Sequence, residues 1–265
     1  MSPVKSWRWK YRFMVSLSLT LVPLITGDIH VMANPTLQTT KQFVENAQRI
    51  SEICTRLQPS FDESRLCVKV VATWEGLQAC RELTSLGIRT LATTLFTIEQ
   101  AILAAEAECV YIAPFVHELK AFFDETYHDG EPILPLCVQA QRYFEQHSYV
   151  TRVKAAGLLS VDEAVKLAGV ASLTIAPNLL HTLSKSEELE SQLADRSLFQ
   201  EKAMLEGQAV EHTTFIDDEA KFREAFAKSA GGKGQIKTAQ AIEIFSEYQI
   251  KAESMMRDPD LTRIG

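Results

Sequence analysis

Strand and helix signals alternate along this chain in steps of roughly 20 to 40 residues, and this rhythm restricts the fold more than any other feature. Apolar, strand-like runs begin near residues 66, 88, 109, 149 and 172, and residues 27–31 supply an earlier one. Helical patterns fill the intervals. Phe43, Ala47, Ile50, Cys54 and Leu57 recur at spacings of four and three, which marks one face of a helix that Pro59 ends. A helix over 74–86 closes at Gly87. Thr97-x-x-Gln100 and Ser160-x-x-Glu163 have the form of capping boxes that open two more. Further helical patterns cover 116–127, 138–147, 217–228 and 235–256. Between the last two, Ser229-Ala230-Gly231-Gly232-Lys233-Gly234 lacks the spacing of a phosphate loop, follows no strand, and reads as a flexible linker. Strands joined through helices must run parallel. The regular alternation favours a barrel over an open sheet, and in a barrel the chemistry sits at the C-terminal ends of the strands.

Lys69 interrupts one of these strands. It lies inside Leu66-Cys67-Val68-Lys69-Val70-Val71, directly before Ala72-Thr73-Trp74-Glu75-Gly76. A charge within a buried strand is costly. Two readings account for it. On an edge strand the aliphatic stem would lie on apolar surface while the ammonium reaches water. Alternatively, a lysine kept dry loses basicity, becomes a neutral amine, and can attack a carbonyl to form a Schiff base.

Composition narrows the function classes. Twenty-seven basic residues face thirty-four acidic ones, a net charge of -7, with no basic stripe suited to a nucleic-acid backbone. The five cysteines, Cys54, Cys67, Cys80, Cys109 and Cys137, are odd in number and sit mostly in apolar stretches. They suit neither a disulfide framework nor a zinc site, and no histidine pair has ligand spacing. The N-terminus points elsewhere. Lys5, Arg8, Lys10 and Arg12 precede an apolar stretch over 13–25, and Val31-Met32-Ala33 follows, as in a secretory signal peptide. The stretch is short for a membrane span. Residues 15–21 also alternate apolar and polar, as a strand would. Residues 1–26 therefore read as signal-like or as an edge-covering strand or helix, and 27–265 as the main domain. Thiols free of any disulfide pattern favour a cytoplasmic protein over a secreted one.

The segment from Cys67 to Leu77 resembles the Schiff-base lysine motif of the transaldolase family. The resemblance continues through Leu95-Phe96-Thr97-Ile98-Glu99-Gln100-Ala101, Ala105-Glu106-Ala107, Ile112-Ala113-Pro114-Phe115-Val116, Leu173-Thr174-Ile175-Ala176-Pro177 and Phe215-Ile216-Asp217 with Phe222. It covers about residues 22 to 255. It implies an α/β fold of the TIM (β/α)8-barrel type with C-terminal helices. The implied activity is transfer of a dihydroxyacetone unit between sugar phosphates through an imine, with no metal or organic cofactor. It assigns the nucleophile to Lys69, a water or proton relay to Thr93, and substrate contacts to Phe115 and Thr73. Glu75, Gln100 and Glu106 also fit the pattern, although each equally suits a structural role on its helix, and Trp74 suits packing.

Other positions depart from the family. Leu91 stands where the family has asparagine, Ala113 where it has serine, and Met32 where it has a proton-relaying glutamate, with His30 or Asn34 nearby. Glu118 and Leu159 stand where it has phosphate-binding arginines. A carboxylate and a leucine in place of a bidentate clamp disfavour a sugar phosphate. The residues before Gly27 are too few for the family's first two βα units, so the barrel is expected to be incomplete, with edges needing a cover or a second copy. Three functions follow: transaldolase-type transfer or cleavage, an aldolase acting on a non-phosphorylated carbonyl compound, or a degenerate member that binds without turnover.

Overall fold

The computed structural model describes residues 3–124, 126–188, 190–200 and 211–255. Six parallel strands form one sheet in strict chain order: β1 (Ile29–Met32), β2 (Leu66–Val71), β3 (Arg89–Leu95), β4 (Tyr111–Pro114), β5 (Arg152–Ala155) and β6 (Ser172–Leu173). The intervening helices are α2 (Thr40–Leu57), α3 (Trp74–Ser85), α4 (Ile98–Glu106), α5 (Leu134–Gln146) and α6 (Val161–Lys166). Helix α1 (Pro3–Leu21) precedes the sheet, and α7 (Pro177–Leu183), α8 (Glu190–Arg196), α9 (Glu219–Lys228) and α10 (Lys233–Met255) follow it.

The sheet is curled. His30 on β1 and Tyr111 on β4 lie three strands apart, which in a flat sheet means about 14 Å. Their ring centroids are 5.8 Å apart. The six strands thus make a half-barrel whose β1 and β6 edges do not pair with each other, an incomplete version of the expected barrel.

Strand alternation divides the side chains between two environments. Ile29, Val31, Val68, Val70, Ala92, Ile112 and Val153 point outward into the main core, against Phe43, Ile50, Leu77 and Leu103 of the helices. Each fully buried aliphatic side chain there contributes about 1.5–3 kcal/mol. Cys67, Leu91 and Ala113 point inward and cluster with Tyr111 on the concave face.

Two caps are built as the sequence indicated. Thr97 accepts from the Gln100 N–H while the Gln100 side chain accepts from the Thr97 N–H, a complete capping box for α4. Gly87 adopts φ +75° after α3, where a side chain would be strained. Elsewhere the structure corrects the reading. The described residues of 116–127 form only a short 3-10 turn, Leu119–Phe122, because Glu118 and Asp129 are drawn into contacts with α10, and Tyr127 bonds to Glu118. Ser229–Gly232 is a 3-10 turn, not a free linker, and Gly234 belongs to α10, where a Cβ would lie 2.2 Å from the Thr97 Cγ2 atom. Ser160 caps α6, but Glu163 answers to the Leu159 N–H, so this capping box is only half made. The apolar stretch after residue 12 belongs to helix α1. Tyr11, Val15 and Leu19, spaced by four, bury their side chains where α1 packs on α2 and β1. No helix among the described residues is long and apolar enough to cross a membrane.

Candidate active site

Lys69 is not on an edge. Strand β2 is paired on both sides, with Met32 of β1 and Leu91 of β3 flanking Lys69 in register. The edge-strand reading therefore fails. Lys69 points to the concave face between Cys67 and Thr93, partly covered, while its strand neighbours Val68 and Val70 are fully buried. Among the described residues no carboxylate lies within ion-pair distance of its amine. Burial lowers its pKa below the ordinary lysine value, Cys67 acts against that shift, and Lys154 adds to it. A lysine whose charge is disfavoured by burial and unrelieved by an acid is chemically suited to nucleophilic attack.

Thr93 is fully buried, and its hydroxyl has no hydrogen-bond partner. It lies two residues beyond Leu91, the register neighbour of Lys69, and pairs with Val71. A bulge fixes its direction: register slips between Ala92 and Leu95, and Thr94 adopts φ 56°. An unsatisfied buried hydroxyl on the strand beside the lysine is a place for a water or a substrate oxygen.

Phe115 sits at the C-terminal end of β4, stacked on Phe96 at 6.0 Å and tilted against Phe245 of α10 at 6.0 Å, so it forms the apolar floor under that helix. Thr73 accepts from the Gly76 N–H at 3.1 Å and caps α3, which commits its oxygen to the helix. Trp74 packs on Phe222. Glu75 pairs with Arg223, and Glu106 accepts from the N–H groups of Phe215 and Ile216. The structural reading of these helix residues holds.

The mouth of the half-barrel is crossed by α10. Gln100 donates to the Ala72 carbonyl at 2.8 Å and to the Thr238 hydroxyl at 3.2 Å, tying the end of β2 to that helix. Glu118 accepts from Tyr127 at 2.6 Å and from Gln240 at 3.2 Å, and lies 3.6 Å from the Lys237 ammonium. Its carboxylate is thus part of the helix's attachment. Leu159, at the second arginine position, is exposed. Asn34 accepts from the N–H and hydroxyl of the exposed Thr36.

Sequence reasoning named His30 only as a neighbour of Met32 and passed over Tyr111, Arg152 and Lys154, which share the concave face with it. Arg152 and Lys154 both lie over the Tyr111 ring, at 4.9 and 4.8 Å, and Arg152 donates to the Tyr111 hydroxyl at 3.1 Å. Burial, Lys154 and Lys69 lower the His30 pKa to about 4, so its imidazole is neutral near pH 7. The signal was present in the alternation Arg152-Val153-Lys154-Ala155, which puts both cations on one face. Among the described residues, no group of three or more His, Cys, Asp or Glu side chains could hold a metal ion, and all five cysteines are free and buried.

The family model for transaldolase/fructose-6-phosphate aldolase matches residues 10–232. A transaldolase of Kluyveromyces lactis is 32% identical over 219 residues, 80% of this chain and 63% of that protein. A transaldolase of Chlamydia felis is 31% identical over 242 residues, 89% of this chain and 70% of that one. A transaldolase of Pseudoalteromonas atlantica is 28% identical over 254 residues, 93% of this chain and 75% of that one. The chain thus spans 63% to 75% of the length of these relatives. The lysine strand, the half-barrel and the extent of the match agree: this chain belongs to the transaldolase/fructose-6-phosphate aldolase family.

Proposed function

We propose that the protein is a transferase of the transaldolase type, moving or cleaving a dihydroxyacetone-type unit of a sugar or sugar phosphate through an imine on Lys69. The observation that carries this reading is the Lys69 amine: on the concave face, lowered in pKa by burial, without an acid partner among the described residues, and on the strand next to the unpartnered Thr93 hydroxyl, which lies two register steps further on. The amine adds to the donor ketone and water leaves. The iminium nitrogen then accepts the electron pair of the breaking carbon–carbon bond, and the retained enamine attacks an acceptor aldehyde. Thr93 holds the water that exchanges protons with these intermediates, and Phe115 forms the apolar end of the substrate space. Thr73 acts by shaping the end of the lysine strand. No metal or organic cofactor is required by this chemistry.

Glu118 favours a second reading. A carboxylate fixed by Tyr127, Gln240 and Lys237 where the family carries a cation suits a non-phosphorylated carbonyl compound, or binding without turnover, better than a sugar phosphate. The pentose phosphate pathway, a cytoplasmic location and assembly into homo-oligomers belong with the first reading; nucleic acid and membrane are not among its partners.

Borohydride reduction in the presence of fructose 6-phosphate or dihydroxyacetone, followed by peptide mapping, tests the reading. The expected result is a stable adduct on Lys69 that is absent from Lys69→Arg. A folded sample that gives no adduct with a panel of phosphorylated and free ketoses refutes imine chemistry. An adduct with free ketoses alone selects the second substrate class.

A further inference from the structure

Lys69 shares the concave face with another amine. Leu91, the register neighbour of Lys69, pairs onward with Tyr111, and Tyr111 pairs with Arg152, so one row of the half-barrel carries all four. Lys154 follows Arg152 by two residues and points to the same side. Its ammonium lies 4.8 Å from the Tyr111 ring centre, and that ring lies 5.8 Å from the His30 ring on β1. His30 in turn precedes by two residues Met32, the other register neighbour of Lys69. Lys154, Tyr111 and His30 thus span the concavity, and Lys69 lies beside the span.

The geometry points to Lys154 as a positioning residue for Lys69: its ammonium, seated on Tyr111 with no ion-paired carboxylate among the described residues, sets a positive charge on the concave face that Lys69 shares and keeps the Lys69 amine nucleophilic. This rests on the reading of Lys69 as the imine-forming group.

The charges around Lys69 support a net positive field. On the β1 side are Asp28 and His30, on β2 Cys67, on β3 Arg89, on β4 Tyr111, and on β5 Arg152 and Lys154. Asp28 is taken by Arg89 through bonds of 2.7 and 2.9 Å. His30 is neutral near pH 7, and burial pushes the Cys67 thiol up to about 12, so it too is neutral. Arg152 and Lys154 form no ion pair among the described residues; burial lowers the Lys154 pKa and Asp28, from beyond ion-pair distance, acts against that shift. Only the neutral amine can add to a carbonyl carbon. After addition the carbonyl oxygen leaves as water and the nitrogen carries the iminium charge, whereas an ammonium must first give its proton to solvent. A cation within reach makes that proton easier to lose.

The test is the pH dependence of reductive trapping with dihydroxyacetone and cyanoborohydride, read as the rate of mass gain at Lys69. Lys154→Met keeps the stem and removes the charge; Lys154→Arg keeps the charge. The midpoint is expected to rise by about 0.5–1 pH unit in Lys154→Met, a loss of about three- to tenfold in neutral amine at fixed pH. Lys154→Arg is expected to stay at the wild-type midpoint. If Lys154→Met fails to fold, Lys154→Gln makes the same comparison. An unchanged midpoint in a folded, charge-free variant that still forms the adduct overturns the role of Lys154 while leaving imine chemistry standing. Absence of any wild-type adduct overturns both.

Discussion

Lys237 of α10 reaches into a site of high negative charge, and replacing it with methionine isolates what holds that helix in place. Its side chain is 7% exposed. Its ammonium lies 3.6 Å from both the Glu118 and the Asp129 carboxylates and donates to the Glu131 carbonyl at 3.0 Å. Asp129 is more buried still, at 2%. Methionine fills the same space but leaves Asp129 and Glu118 without their cation. Breaking one side of a buried ion pair costs about 3–5 kcal/mol, and contacts of this length belong at the low end, about 3 kcal/mol. For a chain of this size that is a fall in Tm of about 6–12 °C. The pH dependence has a definite sign. Burial pushes the Asp129 carboxyl up, but the N–H groups of Glu118 and Glu131, then Lys237 and His117, outweigh it and hold the pKa below the ordinary value. A depressed carboxyl pKa stabilises the fold above the unfolded value, about 3.9, and that contribution is lost as pH falls through the folded value. The deficit of Lys237→Met is therefore greatest at neutral pH and shrinks in acid. Urea unfolding at pH 7 and at about pH 3, below the ordinary carboxyl value, measures it, with Lys233→Met as control. Lys233 pairs with Glu131 at 2.6 Å but is 54% exposed, and its loss should leave the midpoint unmoved. A deficit below about 1 kcal/mol at pH 7, or one that grows in acid, would refute the buried-cation argument.

Three further outcomes are expected. Gly234→Ala places a methyl against the Thr97 Cγ2 atom and should cost about 1–3 kcal/mol in urea unfolding; adding Thr97→Ser, which deletes that methyl but keeps the capping oxygen, should restore most of it. Gln100→Leu leaves the N–H groups of Phe96 and Thr97 and the Ala72 carbonyl unpaired, and a loss under about 1 kcal/mol in the same assay would show that solvent replaces these bonds. Lys69→Met should abolish trapping yet stabilise the fold at pH 7. Because the folded pKa of Lys69 is lowered, the unfolded chain binds the proton more tightly, the wild type pays for this below the unfolded value of about 10.4, and the gain from methionine should vanish as pH approaches that value in Tm measurements.

Periodicity exposed most of the framework because each βα unit satisfies its own backbone and buries its own face. Phe43, Ala47, Ile50 and Cys54 face the core as their spacing requires, and Thr97 with Gln100 caps α4 through contacts three residues apart. The errors lie where long-range contacts win. Residues 116–127 carry a helical pattern, yet Tyr127 bonds to Glu118, and Glu118 bonds to α10, whose residues lie over a hundred positions away. Residues 229–234 look free in sequence, yet Gly234 is wedged against Thr97. At the site, Lys69 was legible as a charge that its strand could not otherwise explain, and the family motif around it marked Thr93. Lys154 was not, because its significance depends on the curl of the sheet, which brings β5, β4 and β1 around one concavity.

The kink at Thr94 gathers three distant parts of the chain at one point. The Thr93 carbonyl accepts from the Ala72 N–H at 2.8 Å, and the Thr94 carbonyl lies 3.5 Å from both the Gln100 amide and the Thr238 hydroxyl of α10. Lys69, by contrast, is gripped by strand pairing alone. Undocking the C-terminal helix would therefore disturb Thr93 before Lys69. Under the proposed imine chemistry, a protein loosened in this way would still capture a ketone but would stall with it attached, which would make capture and release separable properties of the fold.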